Sequence, residues 1–65
     1  MCLAKVFVED PEGEDTQLVL ENTTKAFVDG DTIRVTSLLG EAQEIQGRIE
    51  SIDFVDGRLL VRRLP

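Results

Sequence analysis

The one thiol in this chain belongs to Cys2, one peptide bond from an α-amine at the start of the sequence, where amine and thiolate lie within chelating reach of each other. That amine has a reference pKa of about 8, so it deprotonates far more readily than a lysine. Amine, deprotonated amide and thiolate are strong-field donors suited to square-planar Ni(II) or Cu(II). With no His and a single Cys, one copy of the chain cannot assemble the four-ligand sulfur and imidazole sets of structural zinc sites. A soft-metal site here therefore draws on backbone nitrogens or on a second copy. If Met1 is retained, the Met1 amine, the Cys2 amide and the Cys2 thiolate form a three-donor clamp. If Met1 is removed, Cys2 offers its own amine and thiolate in a five-membered chelate, and two subunits complete an N2S2 plane. Either set has to lose protons, so affinity for the metal is expected to climb with pH. The competing expectation is that Cys2 is an inert apolar side chain, as most buried cysteines are.

Other chemistries fare worse. Without His or Tyr, and with no base near a Ser or the Cys, general acid-base and nucleophilic catalysis lack their residues, and no enzyme is expected. Glu9, Asp10, Glu12, Glu14 and Asp15 are the densest acidic group, but their spacing lacks the alternation and the terminal bidentate Glu of a calcium loop. They read as a solvated turn. Arg58, Arg62 and Arg63 crowd the last strand and, with Lys5, Lys25 or Arg34, suggest an alternative: an RNA- or protein-binding barrel in which Cys2 is structural. Against nucleic acid stand a net charge of −6 and only three aromatics, Phe7, Phe27 and Phe54, which are expected in the core rather than stacked on bases.

The elements that must position these groups are short. Val, Ile, Thr and Phe recur in runs divided by Gly, Asp, Asn and Pro, the punctuation of an all-β chain. Cys2–Val8 reads as a strand with Cys2, Ala4, Val6 and Val8 on one face. Thr16–Glu21 follows, Asn22-Thr23-Thr24 is expected to turn the chain, and Ala26–Val28 and Ile33–Val35 flank a tight turn at Asp29-Gly30-Asp31. Leu38 and Leu39 stand before Gly40 as exposed apolar residues. In the long run from Ala42 to Phe54, Ile45, Gly47 and Ile49 are odd in phase but Ile52 and Phe54 are even, so a β-bulge is expected near Ser51. Asp56-Gly57 is a hairpin turn before the final strand, Arg58–Leu64. Five to six antiparallel strands in one domain of 65 residues suit a small SH3-like barrel. A chain of this size buries only about 60% of its unfolded surface. With no second Cys for an internal disulfide, metal binding or dimerisation is expected to help. The chain start shows no basic leader, and no run of apolar residues is long enough to span a membrane, so a cytoplasmic location is expected.

The motifs Met1-Cys2-x-Ala4-x-Val6-Phe7, Gly30-x-x-Ile33-x-Val35, Leu38-Leu39-Gly40-Glu41 and Gly47-x-Ile49-x-x-Ile52-Asp53-Phe54 together resemble the CooT family over essentially the whole chain. The resemblance implies a small cytoplasmic homodimer with an SH3-like fold that binds Ni(II). It implies too that the Cys matching Cys2 is the ligand, with one site shared by the two subunits. The role it implies is that of a nickel metallochaperone or sensor for maturation of a nickel enzyme such as carbon monoxide dehydrogenase. Leu39 departs from the family, where Phe commonly fills this position in Leu-Phe-Gly-Glu. Leu38 and Leu39 are expected at the dimer contact, since apolar side chains at a turn need covering.

Overall fold

The computed structural model describes residues 3–65; Met1 and Cys2 lie outside the described residues. Five strands run β1 (Ala4–Glu9), β2 (Thr16–Asp29), β3 (Thr32–Ser37), β4 (Ala42–Asp53) and β5 (Arg58–Arg63). Each pairs with the next in chain order, and β5 returns to β1 to close a barrel. Successive strands of such a meander alternate in direction, so with an odd number the first and last point the same way. The seam is accordingly parallel, from Lys5 opposite Arg58 to Glu9 opposite Arg62, while the other four pairings are antiparallel as expected.

The interior is aliphatic. Val6, Val8, Leu20, Ile33, Val35, Ile45, Leu59 and Val61 are buried, with Val19 and Ile49 packed against them. The expectation that the phenylalanines fill this core is wrong. Phe27 lies on the outward face of β2 opposite Arg34, Phe54 sits in the turn after β4, and Phe7 is half-buried with the Arg58 guanidinium 5.6 Å from its ring centroid. A barrel this narrow is filled by branched aliphatic side chains, and its aromatics are displaced to the surface.

Two long strands carry the curvature. In β4 the register slips between Ile49 and Ser51, the bulge anticipated there, and Ile52 then pairs with core residue Leu59. Two residues before Ile49, the Gly47 backbone passes so close to β5 that a Cβ would run into the Arg62 carbonyl oxygen, and its N–H donates to the Asp31 carbonyl at 2.8 Å. The second bend corrects an expectation. Asn22-Thr23-Thr24 does not end a strand; β2 runs unbroken through it. Asn22 takes φ +55° and the register slips on both sides of it, so the chain bends instead of reversing. Asn tolerates this left-handed region better than most residues, which lets a bend masquerade as a turn signal.

Candidate functional site

The candidate ligands precede β1, so the surroundings of that strand's first residues define the site. The Lys5 N–H donates to the Gly57 carbonyl at 2.8 Å, and a Cβ on Gly57 would stand 3.1 Å from the Leu3 carbonyl oxygen. Residue 3 therefore runs against the β4–β5 turn, Phe54-Val55-Asp56-Gly57. That turn is four residues long rather than the two suggested by Asp56-Gly57, and it is held from within: Asp53 Oδ1 accepts from the Val55 and Asp56 N–H groups at 2.9 Å each, and Gly57 adopts φ +69°. With its backbone satisfied, the turn presents Phe54 (81% exposed) and Val55 (95%) to solvent.

On the other flank, Ala4 pairs with Thr23 of β2, and Thr23 with Ser37 at the end of β3. The next turn is built on Ser37. Its hydroxyl accepts from the Leu39 and Glu41 N–H groups at 3.3 and 3.1 Å, and its N–H donates to the Glu41 carbonyl at 2.8 Å. Leu38 N–H reaches back to the Asn22 carbonyl at 2.8 Å, tying this turn to the bend of β2. The tie leaves Leu38 exposed and Leu39 81% exposed. Strands that alternate in direction put successive turns at alternate ends, so Leu38 and Leu39 stand at the end that carries the acidic loop, and the Phe54-Val55 turn, whose role the sequence concealed, borders the start of β1. Between the flanks lies a groove of about 230 Å³ with Ala4, Thr23, Ala26, Ile52, Phe54 and Leu59 among its walls and Lys25, Asp53 and Arg58 at its margin.

The remaining candidates lie elsewhere or are already engaged. Asp10 to Asp15 follow β1, a full strand length away, and form a self-contained loop in which Asp10 Oδ1 accepts from Glu14 N–H at 2.7 Å. Among the described residues, no cluster of three or more acidic or thiol side chains is placed to hold an ion. Of the arginines in β5, Arg62 donates to Glu9 Oε1 at 2.9 Å and lies 3.7 Å from Glu50, and the Glu9 hydrogen bond raises its pKa above the ordinary value. Arg58 covers the Phe7 ring. Arg58 and Arg62 are thus drawn into intramolecular contacts, while Lys5, Lys25, Arg34 and Arg63 stay exposed. Of the sequence-predicted ligands, Met1 and Cys2 fall outside the described residues.

The fold is thus a small closed β-barrel with an exposed apolar turn beside the start of its first strand. The family described as CO dehydrogenase accessory protein CooT matches residues 1–62, and the chain belongs to that family. Among solved structures it is similar to a protein assigned as CooT from Carboxydothermus hydrogenoformans. The two share 25% identity with a TM-score of 0.84, over 98% of this chain and 100% of the other. No curated protein matches the chain. No helix among the described residues is long and apolar enough to cross a membrane.

Proposed function

We propose that this chain is a homodimeric nickel-binding accessory protein, a metallochaperone or sensor that serves the maturation of a nickel enzyme such as carbon monoxide dehydrogenase. Ni(II) is its cargo. The Cys2 thiolate and the nitrogens at the chain start, Met1 included where it is retained, supply the donors from each of two subunits. Membership of the CooT family supports the client, and the structural observation that carries the reading is the exposure of Phe54 and Val55 on the turn that borders the start of β1. An exposed apolar rim of this kind favours burial against another surface. A twofold contact through it brings two chain starts together, which is what a site short of donors in one copy requires.

The donor chemistry fits. Asp53, the carboxylate nearest the groove, already accepts two backbone hydrogen bonds, and the other groove walls offer no thiol or imidazole. On this reading the ligands come from the chain start, where a thiolate with amide or amine nitrogens suits square-planar Ni(II). Native mass spectrometry with Ni(II) is expected to show one metal for two chains, and Cys2→Ser to abolish binding while the thermal unfolding midpoint stays put. Undiminished binding by that variant would remove Cys2 from the site.

A further inference from the structure

Phe7 lies between buried Val6 and Val8 of β1 and so faces outward, and Leu60, between buried Leu59 and Val61 of β5, does the same. The two stand side by side across the parallel seam, and Leu18 of β2 stands opposite Phe7 on the other flank. Alternation alone would not put Leu18 there. Leu20 is buried, so a period of two assigns Leu18 to the interior, but the register slips between the Val6 and Leu20 pair and the Phe7 and Leu18 pair. The extra residue, Val19, packs against the core, and Leu18 is turned out to 46% exposure. A bulge that re-aims a leucine in this way completes an apolar stripe, Leu18, Phe7 and Leu60, across three adjacent strands of the outer wall. A depression of about 350 Å³ runs beside it, with Phe7, Leu60 and Arg58 among its walls.

We propose that this stripe docks an acidic segment of a partner protein, an aliphatic side chain resting on Leu18, Phe7 and Leu60 and a carboxylate held by Lys5 and Arg58. Charge complementarity selects that occupant. Lys5 and Arg58 pair across the seam along one side of the stripe, and both are exposed. Neither lies within ion-pair distance of a carboxylate among the described residues, and Met1 and Cys2 bring no carboxylate side chain. In a chain with thirteen acids and seven cations, two cations kept together without an acid mark a face for an acid from outside. The Arg58 guanidinium sits over the Phe7 ring, and stacking leaves the N–H fork at its edge free for a carboxylate. On the other side of the stripe Arg62 is already held by Glu9 and Glu50, which closes that flank. A polynucleotide fits poorly, because the stripe offers one aromatic between two leucines and a net charge of −6 repels phosphates. The docking does not rest on the nickel reading.

Fluorescence anisotropy at low salt and without metal tests this, with a labelled peptide of alternating glutamate and leucine as the probe. The parent protein is expected to bind it, and to bind about tenfold more weakly when serine replaces the leucines or glutamine the glutamates. Leu18→Ser, and Lys5→Gln combined with Arg58→Gln, should each weaken binding of the original peptide about tenfold with the thermal midpoint little changed, since all three side chains are exposed. Arg34→Gln, on the outer face of β3 away from the stripe, should stay within about twofold of the parent. No binding by the parent, an equal loss in Arg34→Gln, or a tighter hold on single-stranded oligouridylate overturns the proposal. So does sedimentation in which Leu18→Ser dissociates a dimer, because the stripe is then covered by a second copy. A failed nickel titration leaves the peptide result standing, and a failed peptide titration leaves nickel binding untouched.

Discussion

At the scale of single residues, the barrel depends on positions where a side chain is forbidden or a charge is trapped. Gly47 is the first. Its φ is unremarkable, so its requirement is steric: β5 crosses where a Cβ would sit, and the obstacle is the Arg62 backbone rather than a flexible side chain. Gly47→Ala has to push two strands apart and is expected to cost about 2–3 kcal/mol, within the range for overpacked interiors, read as a lower urea midpoint at unchanged slope. Glu9 is the second, a carboxylate only 7% exposed at the parallel seam with Arg62 as its partner. Arg62→Ala leaves that carboxylate buried and unpaired and should lower the midpoint clearly. Glu50→Ala, removing only a 3.7 Å contact between half-exposed groups, should leave it nearly unchanged. Because the Arg62 pKa is raised, the stability this shift contributes is complete below the guanidinium's ordinary range and fades only as pH rises beyond it. Loss of the pair on the arginine side is therefore not expected at neutral pH.

At the scale of elements, what the sequence revealed and what it hid divide on a physical line. The phase switch from Ile49 to Ile52 was legible because a period-2 pattern shows any inserted residue. The bend at Asn22 was not, since Asn and Thr look alike whether the chain reverses or merely kinks. The phenylalanines misled for a related reason: strand-like context marks a residue as half-buried without saying which half faces in. Phe54 went further astray because Asp56-Gly57 suggests a two-residue turn, whereas Asp53 organises one of four. That turn has its own test. Asp53→Ala removes two hydrogen bonds to exposed backbone and should cost about 1 kcal/mol. Gly57→Ala should cost about 1–2 kcal/mol, since it meets both a left-handed φ and the Leu3 carbonyl. Because Gly57 borders the start of β1, its variant is also expected to speed hydrogen exchange at Lys5, whose amide bonds to the Gly57 carbonyl.

At the scale of the whole molecule, the barrel has two unlike ends. One carries the acidic loop after β1 and the Leu38-Leu39 turn, the other the start of β1 beside the Phe54-Val55 turn. The exposure of Leu38 and Leu39 was readable from residue types. The apolar turn beside the start of β1 was not, because its placement depends on Lys5 reaching Gly57 across the closed sheet. The proposed donors lie outside the described residues. A dimer through an exposed apolar turn makes a prediction that separates association from folding. Leu39 and Phe54 project from turns whose backbones are fixed by Ser37 and Asp53, so Leu39→Asp and Phe54→Asp leave those bonds in place, and surface changes of this kind usually stay within about 0.5 kcal/mol of the parent. Placed twice across a twofold axis, the new charges repel and desolvate together, so the penalty on association far exceeds the penalty on folding. Sedimentation at micromolar concentration should show the parent as a dimer and the double variant as a monomer with an unaltered thermal midpoint. Nickel bound per chain should fall with the dimer. A double variant that stays dimeric and keeps one nickel per two chains would place the contact on another face of the barrel.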